Sequence, residues 1–283
     1  MSHTQSDLTP SLLDELEEVW PRHDWSNTEI RHGAFHTAVM LEDAVYRVRH
    51  GRNRRLAIYA EVAVMQKFSE FDLRGSTPRV IADGFHAAEW SAFGTTRLPG
   101  TPLVPTSWAS DRHIILPLLD SLRSVEAHLD TGIPESRQWC GGRDFADLLE
   151  QLMEDIAPPV RASARDTVAM MFSMENDEMK LCHGDFGPHN ILISDTGIGL
   201  IDPDNLCLGD EALDVAPLLG SYSTSDLKQD FSQELLQRAA AIKRALPLQV
   251  AVAADLAGDE GLRNHALNNF ATRRGFRSAH AAS

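Results

Sequence analysis

The sequence predicts an α+β fold of two lobes: a small β-sheet lobe with one main helix over residues 1–98, then a larger, mostly helical lobe over residues 99–283. Three observations carry this expectation. From Ile30 to Leu98 the apolar residues follow the short, β-branched rhythm of strands, interrupted once by a helical stripe. Beyond residue 106 the rhythm is helical almost throughout. The only strand signals in that second half are "ILIS" and "IGLID", which flank Asp195-Thr196-Gly197, a tight-hairpin signal.

Taken in order, "TPSLLDELEEV" predicts a first helix, with Thr9 as N-cap and Pro10 at the first helical position, ended by Trp20-Pro21. "IRHGAFH", "TAVMLE" and "AVYRVRH" predict three strands, punctuated by Gly33 and Glu42-Asp43. In "NRRLAIYAEVAVMQKFSEF" the residues Leu56, Tyr59, Val62, Val64, Met65 and Phe68 make an apolar helical stripe. Two more strands are expected around Asp83-Gly84, and Pro99-Gly100 marks the lobe boundary. Helices follow over 107–131, 143–157 and 160–175, and 211–246 and 250–270 read as mostly helical.

Composition narrows the functional class. The chain is 43% hydrophobic and 24% charged, as in a soluble globular enzyme, and no apolar run approaches the length of a membrane span. Its N-terminus has neither the basic flank nor the apolar stretch of a secretion signal. Cys140, Cys182 and Cys207 are widely spaced, which suits a reducing compartment, so a cytoplasmic protein is expected. A net charge of −15 argues against nucleic acid and anionic membranes as partners, since both need a basic face. The imbalance is uneven: residues 1–98 carry 14 acids and 11 bases, residues 99–283 carry 27 and 15.

The chemistry concentrates in "LCHGDFGPHNILISDTGIGLIDPDN", residues 181–205. If the two apolar runs pair, Asn190 just before the first and Asp202 just after the second lie at one end of a rigid hairpin. Their oxygens could grip one hard cation, and magnesium suits the site because it takes few protein oxygens and completes its shell with phosphate and water. Asp185 approaches the same point from the preceding loop and is free for another task, such as receiving a hydroxyl proton. One carboxylate for a proton and an Asn–Asp pair for metal is the division of labour in kinase-type phosphoryl transfer. His183, beside Gly184, reads as a structural, hydrogen-bonded imidazole, and no His/Cys spacing suits zinc.

"HGDFGPHN", the apolar hairpin and "IDPD" together resemble the catalytic loop and metal-binding segment of the aminoglycoside phosphotransferase family, relatives of protein kinases. The resemblance implies a bilobal protein-kinase-like fold, with Asp185 as catalytic aspartate and Asn190 and Asp202 on Mg2+. ATP or GTP would be the phosphoryl donor. It extends to "LGDEALDVAPLL", where Asp210 and Asp214 would fix the local fold. In the first lobe it implies that the loop at Gly33 covers the nucleotide phosphates. Arg47 would stand where kinases carry a phosphate-binding lysine, oriented by Glu61, and backbone from Thr96 to Leu98 would meet the base. Arginine for lysine is the main departure, because its planar fork is not interchangeable with a point charge.

The family's acceptors are small hydroxyl-bearing molecules, and the acidic second half favours a cationic one, an aminoglycoside first. Asp155, Asp255, Asp259 and Glu260 are the candidate acceptor-binding acids, with Asp144, Asp147, Glu150 and Glu154 beside Asp155. Macrolides, tuberactinomycin peptides, choline and homoserine are alternatives, as is a kinase-like binding protein without catalysis. Oligomeric state is left open.

Overall fold

The structure, a computed structural model, describes residues 10–126, 132–136, 145–174 and 178–279. Thr9, Cys140 and Asp144, and the expected helical residues 127–131, 143 and 175, lie outside the described residues.

Strands β1 (Glu29–His32), β2 (Thr37–Met40), β3 (Ala44–His50), β4 (Val80–His86) and β5 (Trp90–Thr96) form one antiparallel sheet in the order β1-β2-β3-β5-β4. Successive side chains of a strand point to opposite faces, and β3 uses both. Tyr46 and Val48 enter the core with Leu12 and Leu16 of helix α1 (Pro10–Val19). Arg47 and Arg49 face the other way, toward helix α2 (Arg54–Glu70).

That arrangement corrects the expected stripe on α2. The buried residues are Ile58, Glu61, Met65 and Phe68, while Leu56 and Tyr59 are 71% and 61% exposed. Turning the helix to bury Leu56 and Tyr59 would take Glu61 away from the two arginines it pairs with. The expected turn at Asp83-Gly84 is also displaced: both residues lie inside β4, at a register shift, and the chain reverses after Ala87, whose N–H donates to Trp90 O at 2.9 Å. Gly84 serves close packing here, since a Cβ would stand 2.9 Å from Ile58 Cγ2.

The long helices of the helical lobe are α3 (Trp108–Arg123), α4 (Phe145–Leu152), α5 (Pro158–Ser173), α6 (Gln233–Ala257) and α7 (Glu260–Arg273), beside the one-turn helices Ala212–Val215 and Thr224–Leu227. Ser107, Ser232 and Asp259 cap α3, α6 and α7 by accepting a backbone N–H from three residues on. One core joins α3 and α6 to Phe68 of α2; a second joins α4, α5 and α7 to the far half of α6. The interruption expected between 246 and 250 is absent: α6 runs through Pro247, which is buried, and stops at Gly258 in the left-handed conformation. Interior proline costs a helix about 3 kcal/mol, and burial between packed helices offsets it.

Three strands were not visible as periodic runs because each has only two or three residues: β6 (Thr101–Pro102), β7 (Lys180–Cys182) and β10 (Cys207–Gly209). The expected hairpin is β8 (Ile191–Ser194) with β9 (Gly197–Leu200), in register Ile191↔Leu200 to Ser194↔Gly197. It is bonded on both flanks. β6 pairs with β8, and Ser76, from the segment entering β4, exchanges backbone hydrogen bonds with Ile198 and Leu200. The hairpin is thereby sewn to both lobes.

Candidate active site

The loop from His183 to Asn190 leaves β7 and enters β8, and its shape is over-determined. Gly184 has φ +78°, and a Cβ there would lie 2.2 Å from Asn205 O, so only glycine fits. The N–H groups of His183 and Gly184 donate to the two carboxylate oxygens of Asp214, at 3.0 and 2.8 Å. Burial pushes the Asp214 carboxyl up to about 7, against the pull of these two hydrogen bonds. The His183 imidazole donates from Nε2 to Ile201 O at 2.9 Å, edge-on to Phe68 and Phe186, and burial lowers its pKa. It is a neutral structural imidazole that ties the loop to the residue before Asp202.

Asn190 and Asp202 come together as the hairpin requires. The N–H of Ile201 donates to Asn190 O at 2.9 Å, continuing the β8–β9 ladder by one pair. The Asn190 amide donates from Nδ2 to the carbonyl and carboxylate oxygens of Asp185, at 2.9 and 3.3 Å. That leaves its Oδ1 for a further partner. Asp202 has φ 64° and ψ 54°, left-handed backbone that is uncommon for a residue other than glycine. His189 Nε2 lies 3.3 Å from Asp185 Oδ2, and this hydrogen bond raises the His189 pKa.

Opposite the hairpin, Arg47 is buried among Glu61, Asp202 and Asp204. Its Nη1 donates to Asp202 Oδ1 at 2.8 Å, its Nε to Glu61 Oε2 at 3.3 Å, and its Nη2 to Asp204. His36 Nδ1 accepts from the same Nη2 at 3.2 Å. Arg49, two residues along β3, binds the other oxygen of Glu61, stands 3.7 Å from Asp204, and donates to Phe35 O at 3.2 Å. Burial would raise Asp202, but the groups facing it, Arg47 foremost, together hold the carboxyl down at about 2. Burial, only partly offset by Arg47, pushes Asp204 up. Burial and the arginine charge push His36 down to about 3, so its ring stays neutral and accepts from Arg47.

Of the sequence-derived candidates, the structure brings Arg47, Glu61 and Asp202 into contact, and Asp185 and Asn190 beside the same hairpin end. Gly33 opens the tight β1–β2 turn, its N–H donating to His36 O at 2.8 Å, and this turn delivers His36 to the arginine. Thr96 ends β5 bonded to Arg79, whereas the N–H and C=O of Leu98 have no partner among the described residues. Leu98 lies over Gly199, where a Cβ would meet its Cδ1 at 3.0 Å. The acceptor candidates are not gathered in. Asp155 and Glu260 are exposed, Asp255 pairs with Arg263 at 2.9 Å, and Asp259 caps α7. The last three sit where the end of α6 meets the β3–α2 turn, through Asn53 Nδ2 to Leu256 O at 3.3 Å. No described hydrogen bond or ion pair joins any of the four to Asp185, Asn190 or Asp202.

Sequence reasoning missed His36; from the sequence, Asp204 reads as a solvated or supporting acid rather than a ligand, and Arg49 only as the alternative to Arg47. The i, i+2 spacing of Arg47 and Arg49 on a strand was the available signal, since it puts both on one face. The oxygens that could face a cation are the Asn190 amide oxygen and the Asp202 carboxylate, which Arg47 helps hold ionised. Among the described residues no group of three or more His, Cys, Asp or Glu could hold a metal by itself. The set therefore fits a hard ion that draws its other ligands from phosphate and water, as magnesium does.

A five-stranded antiparallel sheet with its helix, joined through these residues to a mostly helical part, makes a kinase-like fold. The sequence signature of the phosphotransferase enzyme family (APH) matches residues 21–248, and the chain belongs to that family. No curated protein matches the chain. Among solved structures, it is similar to the GDP and kanamycin complex of APH(2″)-IIIa, with a TM-score of 0.71 at 16% identity over 94% of this chain and 99% of that one. It is similar to the macrolide 2′-phosphotransferase MphH of Brachybacterium faecium, with a TM-score of 0.58 at 20% identity over 91% and 97%. It is also similar to the aminoglycoside phosphotransferase APH(3″)-Id of Streptomyces rimosus, with a TM-score of 0.58 at 19% identity over 84% and 92%. At such identities the likeness concerns the fold. No described helix is long and apolar enough to cross a membrane.

Proposed function

We propose that the chain transfers the γ-phosphoryl group of a nucleoside triphosphate, ATP or GTP, to a hydroxyl of a cationic antibiotic, an aminoglycoside first. The observation that carries the reading is the meeting of Arg47, Glu61 and Asp202 across the cleft, beside the hairpin end that holds Asp185 and Asn190. In this reading residues 1–98 hold the nucleotide and residues 99–283 hold the acceptor and the chemistry. Leu98 offers its open backbone groups to the base, and Arg47 and the turn from Gly33 to His36 meet the phosphates. Asn190 and Asp202 would hold magnesium, whose charge would offset that of the phosphates. Asp185, fixed by the Asn190 amide, orients the acceptor hydroxyl and takes its proton. Positioning and electrostatics supply most of the rate, because the transition state is loose.

The excess of acids in residues 99–283, 27 against 15 bases, supports a cationic acceptor. The macrolide phosphotransferase among the similar folds supports macrolides as the second acceptor class. Buried, unpaired Cys182 and Cys207 fit a cytoplasmic location. The test is nucleotide turnover with magnesium, ATP or GTP, and a panel of aminoglycosides, tuberactinomycins, macrolides, choline and homoserine. Turnover with the cationic antibiotics is expected, and Asp185→Ala should lose it by about 10²-fold or more while keeping nucleotide affinity. Equal turnover in Asp185→Ala and wild type would end the assignment; turnover with choline or homoserine alone would make the enzyme metabolic.

A further inference from the structure

Arg47 and Arg49 form a closed ring with two acids. Arg47 Nε meets Glu61 Oε2, Glu61 Oε1 meets Arg49, Arg49 Nη2 stands 3.7 Å from Asp204 Oδ2, and that same oxygen accepts from Arg47 Nη2. The side chains are 7%, 6%, 16% and 20% exposed, so solvent screens these contacts little. Asp202 is outside the ring. It holds only Nη1, the remaining corner of the guanidinium, and is 34% exposed. The guanidinium is thus clamped along one side by Glu61 and Asp204, and its opposite corner is spent on a single exchangeable partner.

That asymmetry matters under the functional reading above, on which this inference rests. Serving a metal with its Oδ1 would take Asp202 from Arg47, whose remaining acids are Glu61 and Asp204, and a buried guanidinium that loses an acid carries a desolvation cost. We propose that Asp204 is the positioning residue of Arg47: it keeps the guanidinium paired and oriented when Asp202 is released, so that Nη1 turns to phosphate while Nε and Nη2 stay anchored. Asp204 acts through Arg47 and touches neither metal nor substrate. Without it, Arg47 falls back on Asp202 and competes with the cation for it.

The test is equilibrium binding of ATP and GTP at a series of magnesium concentrations, in wild type, Asp204→Ala, Arg47→Gln and the double variant. Asp204→Ala should raise the magnesium concentration for half-maximal nucleotide binding by about tenfold, the scale of one charged hydrogen bond. In the Arg47→Gln background the same change should move it by less than about twofold, since the competitor is gone. Asp204→Asn, which preserves volume, should show a smaller rise than Ala and guards against a fold defect. The double variant removes both charges together, so it remains readable if a single variant melts early. An unchanged magnesium midpoint in both Asp204 variants overturns the proposal alone. A full tenfold rise persisting without Arg47 also overturns it, because Asp204 would then meet the cation directly. If wild type itself binds no nucleotide with magnesium, the functional reading fails first and the positioning role falls with it.

Discussion

At the scale of single residues, Asp214 has the most exposed consequence. It lies on the one-turn helix Ala212–Val215 and spends both oxygens on the backbone of the His183–Gly184 loop. Its carboxyl is raised from 3.8 to about 7, so between those values the folded chain holds a proton that the unfolded chain has lost. Proton binding that favours the folded state makes stability fall as pH rises. The difference in unfolding free energy between wild type and Asp214→Asn should therefore shrink as pH climbs from about 4 to about 7, by on the order of 4 kcal/mol, and level off above. Urea unfolding of both proteins at successive pH values reads this directly. A difference that grows with pH would mean that the ionised carboxylate is what the two N–H groups bind best.

At the scale of elements, the loop between β7 and β8 is held by backbone shape as much as by side chains. Gly184→Ala must place a methyl 2.2 Å from Asn205 O while keeping φ near +78°. The loop will shift, carrying Asp185 with it, so about 10²-fold lower turnover is expected with only a modest loss of melting temperature. Nucleotide affinity measured alongside should stay within a few fold, because Arg47, Asn190 and Asp202 are held by β3 and the hairpin; a parallel collapse of affinity would contradict that division. The same loop explains what was legible in the sequence. The meeting of Asn190 and Asp202 could be read because twelve residues and one tight turn determine it. Arg47 meeting Asp204 spans 157 residues, and His36 reaches that pair only through the packing of both lobes. The turn at Asp83-Gly84 failed because its glycine answers to Ile58 of α2, a demand made from outside the strand. The stripe on α2 failed at Leu56 and Tyr59, though Met65 and Phe68 are buried as expected, because Glu61, a polar residue, sets which face is buried.

At the scale of the whole molecule, charge is unequal along the chain, −3 over residues 1–98 and −12 over residues 99–283. The acids named for acceptor binding are dispersed: Glu150 is engaged by Arg165 and Asp255 by Arg263, while Asp155 and Glu260 are exposed. Under the proposed function, an acidic half of this kind would act on a cationic acceptor through its summed field, without requiring a particular pair. Such attraction is screened over about 10 Å at 0.1 M salt and about 3 Å at 1 M. For a polycationic acceptor kcat/KM should then fall by about tenfold or more from low to high salt, chiefly through KM, with kcat at saturation nearly constant. A neutral hydroxyl acceptor turned over by the same enzyme should lose far less, which corrects for any effect of salt on nucleotide binding. Identical salt slopes for cationic and neutral acceptors would assign the −12 to solubility alone and return acceptor choice to the local shape of the cleft.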